Sequence, residues 1–222
     1  MGDQSSTDIP MQLPVMLHLR GRRCVVVGGG AVAVRRAGSL LACGAEVVVV
    51  APQIDPRLNE LPIERVERGY AEGDLDEAFL VVVATDQPDV NQCVAADAAR
   101  LGVLVNRADD ADEGDLTFMA HDRRGPLTLA VDTAHTSAAA AKSIREELFE
   151  ALDDDWVTLL SEARPWRARI RGNPGAKTAD APSRSAKLRR LTDREAMQVL
   201  KNQGVDALRR HLQAVAEDLS DH

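Results

Sequence analysis

Residues 24–38 read CVVVGGGAVAVRRAG: an apolar run, three consecutive glycines, and then small and branched residues with a pair of arginines. The apolar run is typical of a buried strand, and residues 32–43 continue with the spacing of an amphipathic helix. The next segment, AEVVVVAP at 45–52, carries continuous valines that suit a strand covered on both faces. Together the three segments predict a βαβ unit of a parallel sheet.

The glycine turn matches the dinucleotide-binding pattern G-x-G-x-x-G/A, read from Gly28 through Gly30 to Ala33. Gly28 permits the sharp turn out of the strand, and Gly30 leaves room for a pyrophosphate to approach the backbone. Ala33 allows the helix to pack close to the sheet. The free N–H groups at the start of this helix favour an anion. We therefore predict that the turn binds a dinucleotide, and the alternative is a purely structural corner.

The choice between NAD and NADP stays open in the sequence. An acidic residue about 20 positions after the glycines would bind the ribose of NAD. The second strand instead ends at Pro52 and Gln53, and Glu46 lies too early. Arg57 is a candidate for the 2′-phosphate of NADP, although a solvated loop charge is the favoured interpretation.

Strands and helices continue to alternate as far as residue 106, which predicts a doubly wound parallel sheet. The further predicted elements are strands at 63–70, 79–84 and 103–106, and helices at 74–78 and 89–100. Beyond them the pattern predicts two short strands around residues 124–126, a helix at 138–152, and a helical stretch at 156–170 that is interrupted by Pro165. A flexible segment near 171–185 and one or two amphipathic helices behind a Thr192 cap complete the chain.

Composition excludes several classes of protein. The 222 residues carry a net charge of −8 and only 3% aromatic residues, which argues against a nucleic-acid partner. No apolar run approaches the roughly 20 residues that a membrane helix needs, and the N-terminal residues lack a signal-like pattern. Three widely spaced cysteines predict reduced thiols and hence a cytoplasmic location. Five scattered histidines predict no bound metal.

Three ordered segments, at 13–52, 81–110 and 125–148, together resemble the precorrin-2 dehydrogenase family, which also forms the N-terminal part of siroheme synthases. The resemblance implies an α/β fold in three parts: a Rossmann-type parallel sheet that binds NAD (1–115), a small α/β dimerisation domain (116–150) and a helical C-terminal domain (151–222). It also implies a homodimeric, NAD-dependent oxidoreductase that converts the tetrapyrrole precorrin-2 to sirohydrochlorin in siroheme biosynthesis. Some members of the family also insert ferrous iron.

The resemblance assigns site residues by position. The NAD contacts fall on three loops, at Gly28, Gly30, Ala31, Val32, Pro52, Gln53, Thr85 and Asp86. The catalytic aspartate falls on Asp109, and Asp110 is the alternative if the alignment is shifted by one residue. A third interpretation is that both aspartates only cap the following segment and that neither is catalytic. The removal of a hydride and a proton from the substrate needs one base with a tuned pKa beside the cofactor.

The carboxylate arms of precorrin-2 call for positive groups and helix N-termini. The candidates for substrate binding are Arg107, Thr136, Ser137 and Lys142. The chain departs from the family just before these last residues, because Ala134 and His135 stand where members usually have two glycines. A different class of function, a regulatory module that senses NAD(H) without turnover, would need the glycine turn but not Asp109.

Overall fold

A five-stranded parallel sheet forms the framework of the first part of the chain. The computed structural model describes residues 12–110, 113–172, 185 and 188–217. The strand order is β3-β2-β1-β4-β5, with every neighbouring pair parallel. The strands are β1 (Arg23–Val27), β2 (Glu46–Val50), β3 (Glu64–Val66), β4 (Leu80–Val83) and β5 (Leu104–Arg107).

Helices cover both faces of this sheet, which explains the continuous valine runs. Helix α1 (Ala31–Ala42) packs on the face that carries Val26 and Val49, and helix α2 (Pro88–Leu101) packs on the face of Val25 and Val48. Because successive residues of a strand point to opposite faces, a strand buried on both sides is apolar at every position. The predicted doubly wound sheet is therefore confirmed.

Two predicted elements differ in extent from those observed. The strand expected at 63–70 is limited to β3, because Arg68 N–H donates to the carbonyl of Val66 and turns the chain away from β2. The helix expected at 74–78 is a short 3₁₀ turn over Glu72–Leu75. A second 3₁₀ turn, Pro56–Glu60, follows β2.

The strand order creates a crevice at one edge of the sheet. Strand β1 lies between β2 and β4. The chain that leaves β1 runs to β2 on one side, and the chain that leaves β4 runs to β5 on the other side, so the two connections diverge. In an open parallel sheet, ligands bind at this switch point, outside the carboxyl ends of the strands. The glycine turn after β1 and the loop after β4 both lie there.

The chain divides into two compact units after Phe118. In the second unit an antiparallel hairpin packs against α3, and the remaining helices surround a separate apolar core. Its elements are β6 (Ala120–Arg124), β7 (Leu127–Val131), α3 (Ala138–Ala151), α4 (Asp154–Gly172), α5 (Arg194–Gln203) and α6 (Val205–Glu217). The finer boundaries at 115 and 150, and the dimerisation role of 116–150, stay predictions.

Local details of the helical region correct two expectations. Helix α4 continues through Pro165, because the buried side chains of Leu159 and Ile170 hold the helix to the core on both sides of it. Helix α5 is capped by Asp193, whose side chain accepts the N–H of Ala196, and not by Thr192. Most of the segment predicted to be flexible, 171–185, lies outside the described residues.

Candidate functional site

Gly28 occupies a position that only glycine fits. Its φ of +124° is rarely adopted by L side chains, and a Cβ there would collide with the carbonyl oxygen of Ala84. Its N–H donates to the carbonyl of Val50 over 2.9 Å, so the turn leaves β1 tightly between the ends of β2 and β4. The predicted role of Gly28 in the sharp turn is consistent with this geometry.

Gly29 and Gly30 have different surroundings. A Cβ on Gly29 would collide with the carbonyl oxygen of Gln53, a packing constraint that the sequence pattern did not reveal. A Cβ on Gly30 would meet nothing within 4 Å. The first intrahelical bond runs from Val34 N–H to Gly30, so the N–H groups of residues 31–33 precede the helical ladder. Gly30 thus leaves open space beside donors that suit a phosphate.

A cavity of about 770 Å³ lies at the switch point. Its volume falls within the range of roughly 300–1,000 Å³ that is usual for small-molecule and cofactor sites. Six of the eight predicted cofactor residues line it, namely Gly28, Gly30, Pro52, Gln53, Thr85 and Asp86. The other two, Ala31 and Val32, form the start of α1. The open space at Gly30, the helix N-terminus and the cavity fit a dinucleotide.

Asp55 also lines this cavity, and the sequence analysis did not select it. Its carboxylate accepts bonds from Nε and Nη2 of Arg57 at 3.0 and 2.7 Å, and its N–H donates to the carbonyl of Gly29. The hydrogen bonds from Arg57 lower the pKa of Asp55 to about 2. The acidic residue that the dinucleotide pattern expects after β2 is therefore present, five residues beyond the end of the strand. Arg57 forms an ion pair with it. The signal in the sequence was weak because Asp55 lies later than the usual spacing.

A partly buried hydrogen-bond network joins the cavity to Asp109. Thr85 lines the cavity, and its hydroxyl donates to Oδ1 of Asn91 over 2.5 Å. Nδ2 of Asn91 donates to the carbonyl of Thr85 at 3.1 Å and to Oδ2 of Asp109 at 2.9 Å. Sequence reasoning missed Asn91; its only signal was a polar residue at the helical spacing of the buried Val94 and Ala98.

Arg107 holds the other side of Asp109. Its Nε and Nη2 donate to the two carboxylate oxygens of Asp109 at 2.9 and 2.8 Å, and its Nη1 donates to Glu113 at 2.8 Å. The Arg107 side chain is only 7% exposed, whereas that of Asp109 is 31% exposed. Arg107, which the sequence suggested as a substrate-binding residue, is therefore the ion-pair partner of Asp109 in the structure. Each of its guanidinium nitrogens is bonded to a carboxylate.

The surroundings of Asp109 shift its pKa in a definite direction. Hydrogen bonds from Arg107 hold the pKa of Asp109 well below its ordinary value. Burial opposes this shift, and the hydrogen bond from Asn91 lowers the pKa further by a smaller amount than burial raises it. Asp109 is consequently a carboxylate at neutral pH and a weaker base than an unpaired aspartate. The pKa of this candidate base is therefore shifted, as expected for a tuned group, and the direction of the shift is downward.

The remaining candidates surround the start of α3 in the second unit. Ser137 caps this helix, since its Oγ accepts the N–H of Ala140 at 3.1 Å, and Thr136 directly precedes it. Lys142 is exposed and lies 3.9 Å from Glu146. Ala134 and His135, at the positions of the family's glycines, both adopt the left-handed region, with φ of 46° and 60°. The chain thus keeps a glycine-type turn without glycine.

The described residues contain neither a helix suited to a membrane nor a cluster suited to a metal ion. No helix there combines the length and apolarity needed to cross a membrane. The same residues contain no group of three or more His, Cys, Asp or Glu side chains that could hold a metal ion.

The sheet order, the glycine turn and the cavity at the switch point define a dinucleotide-binding protein of the Rossmann type. A family model described as "Putative NAD(P)-binding" matches residues 15–120. The siroheme synthase of Chromobacterium violaceum is 44% identical over 139 residues, which are 61% of this chain and 30% of that protein. The siroheme synthase of Azotobacter vinelandii is 37% identical over 163 residues, which are 72% of this chain and 35% of that protein.

A solved structure extends the similarity to nearly the whole chain. SirC, a precorrin-2 dehydrogenase, has a TM-score of 0.71 with 28% sequence identity, and the match covers 93% of this chain and 100% of that one. The chain spans about a third of the length of the two siroheme synthases. The chain is thus similar to a precorrin-2 dehydrogenase over nearly its whole length, and to siroheme synthases over 61–72% of it.

Proposed function

We propose that this protein is an NAD-dependent precorrin-2 dehydrogenase, which oxidises precorrin-2 to sirohydrochlorin. The observation that carries the proposal is the network in which Thr85, on the cavity wall, is joined through Asn91 to Asp109. It places an ionised carboxylate one side chain away from the wall of the nucleotide cavity. The similarity to SirC along the chain supports the same reaction.

The glycine turn would hold the pyrophosphate of NAD. Gly30 leaves space for it, and the first N–H groups of α1 supply donors. Asp55 would accept a hydrogen bond from the adenosine ribose, and its negative charge favours NAD over NADP, whose 2′-phosphate it would repel. When bound, NAD supplies a hydride acceptor.

Asp109 would take the proton that leaves as the hydride departs. The overall change is balanced: precorrin-2 loses one hydride to NAD and one proton to the carboxylate, which gives sirohydrochlorin and NADH. Loss of the hydride leaves positive charge on the tetrapyrrole and acidifies the remaining proton, so a weak base is sufficient. The low pKa of Asp109 then promotes rapid release of the proton to water.

The carboxylate arms of the substrate would be bound by groups of the second unit. The N-terminus of α3, with Thr136 and the Ser137 cap, offers N–H donors and the positive end of the helix dipole. Lys142, whose side chain is 68% exposed, would add a positive charge at the surface. Arg107 would act on the substrate only indirectly, through Asp109, since its nitrogens are already bonded.

The protein would act as a homodimer in a reducing, cytoplasmic compartment. Ile144 and Leu148 are 42% and 47% exposed on α3, within the segment 116–150 that is expected to form the interface. Cys24, Cys43 and Cys93 are free thiols, as such a compartment allows. Sedimentation at micromolar concentration tests the dimer, and a monomer there would contradict it.

Anaerobic NADH formation, with and without precorrin-2, tests the proposed reaction. Wild-type protein should reduce NAD only when precorrin-2 is present. Asp109→Ala should retain NAD binding and lose about 10²–10⁴-fold in turnover, the usual contribution of a general base. Asp110→Ala removes a charge one residue away and should do far less. NAD that is bound but never reduced would favour an NAD(H)-sensing module and contradict the proposal.

A further inference from the structure

Asn91 is a buried polar side chain that the proposed reaction does not by itself require. It lies in the first turn of α2 and is 1% exposed, on the helix face that packs against the sheet. A buried amide without partners would destabilise the fold, so the hydrogen bonds of Asn91 must offset that penalty.

Within the described part of the chain, the hydrogen bonds of the Asn91 side chain go to two loops that follow neighbouring strands. Oδ1 accepts from the hydroxyl of Thr85, after β4, and Nδ2 donates to the carbonyl of Thr85 and to Asp109, after β5. The orientation of the amide is fixed by its partners, because a backbone carbonyl and a carboxylate can only accept. Asn91 is therefore the link between the cavity wall and the carboxylate.

We infer that Asn91 is a positioning residue, which fixes one oxygen of Asp109 and ties that carboxylate to the nucleotide cavity through Thr85. The inference rests on the proposed function and extends it to a residue that would touch neither cofactor nor substrate. Arg107, the last residue of β5, donates to both oxygens of Asp109, and its hydrogen bonds within the described part of the chain go to Asp109 and Glu113 and not to the cavity residues. Only Asn91 among the described residues bonds both Thr85 and Asp109.

The charges around Asp109 determine how a variant of Asn91 would behave. Arg107 faces both carboxylate oxygens, Glu113 shares that guanidinium, and Asp110 acts on it electrostatically. Asn91→Asp would place a second carboxylate where a donor now lies 2.9 Å from Asp109. Two carboxylates at that distance cannot both ionise easily, so the pair would titrate in two steps with the upper one raised.

The matched control is Gln92→Asp. Gln92 is the next residue of the same helical turn and is exposed, so the substitution adds the same charge without facing Asp109. Asn91→Leu supplies a second variant, which removes the donor without adding a charge. Thermal unfolding followed by circular dichroism verifies that each variant folds.

The experiment measures the carboxyl titration of Asp109 by NMR in the NAD-free protein, together with the pH profile of kcat with NAD and precorrin-2. We expect Asn91→Asp to raise the apparent pKa of the pair by at least about one unit, and its kcat to rise with pH through that value. Asn91→Leu should lower kcat by about 10–100-fold, the scale expected when one hydrogen bond to a charged group is lost. Gln92→Asp should match wild type in both measurements.

Two outcomes overturn the inference. A wild-type titration of Asp109 in Asn91→Asp, or wild-type kcat in Asn91→Leu, would show that Asn91 does not position the carboxylate. If the wild-type protein itself fails to reduce NAD with precorrin-2, the proposed function is wrong. The NMR titration, which needs no substrate, would still report whether Asn91 holds Asp109.

Discussion

Gly29 and Gly30 are neighbours in one turn, yet the structure predicts opposite effects when each is changed to alanine. The Cβ of Gly30→Ala would meet nothing within 4 Å. Its effect on the free energy of unfolding should stay within about 1 kcal/mol, the scale of replacing a glycine cap. NAD affinity should fall more, because the methyl group occupies the approach of the pyrophosphate. Loss of one charge-assisted bond, about 1.5–3 kcal/mol, corresponds to a roughly 10- to 150-fold weaker Kd.

Gly29→Ala should instead damage the fold. Its Cβ would collide with the carbonyl oxygen of Gln53 and lie 2.9 Å from the Cβ of Ala51. Relieving this overlap requires the backbone to move, and overpacking of this kind costs about 1–3 kcal/mol. Urea unfolding gives the stability of both variants, and calorimetric titration with NAD gives their affinities. Wild-type NAD affinity in Gly30→Ala, or unchanged stability in Gly29→Ala, would refute the reasoning.

Three further predictions follow from local geometry. Asp55→Ala frees Arg57, so the ratio of the Kd for NADP to that for NAD, measured by calorimetry, should fall; an unchanged ratio would exclude Asp55 from specificity. Ala134 and His135 adopt the left-handed backbone region, which glycine adopts without strain. Ala134→Gly and His135→Gly should therefore each raise the free energy of unfolding in urea by about 1 kcal/mol, and a decrease would show that the wild-type residues are not strained. The lowered pKa of Asp109 adds stability that is present above its unfolded pKa of about 3.9 and is lost as pH falls. In a plot of Tm against pH, the decrease of Tm at acidic pH should therefore be less steep for Asp109→Asn than for the wild type. Equal slopes for the two proteins would argue against the ion pair.

The first βαβ unit could be predicted from the sequence because its signals are local. Continuous valines in β1 and β2 reflect burial on both faces, and the spacing of the glycines reflects contacts made within a few residues. Gly29 shows the limit of this reasoning. Its constraint comes from the backbone of Gln53, in a loop that only the assembled sheet brings close.

The missed residues of the site depend on contacts between distant segments. Asn91 meets Asp109 across 18 positions of sequence because β4 and β5 are neighbours in the sheet. Arg107 was predicted to bind substrate, but in the structure its side chain is buried and paired with Asp109. Charged residues in a sequence do not reveal their partners, so the direction of the pKa shift at Asp109 could not be foreseen.

The most direct test of the account measures NADH and sirohydrochlorin in one anaerobic reaction of the wild-type protein with precorrin-2. Transfer of one hydride from substrate to NAD predicts that both products appear at the same rate and in a ratio of one to one. Omission of NAD should abolish the formation of sirohydrochlorin. Sirohydrochlorin that forms equally fast without NAD, or NAD that stays oxidised while precorrin-2 is present, would contradict the account.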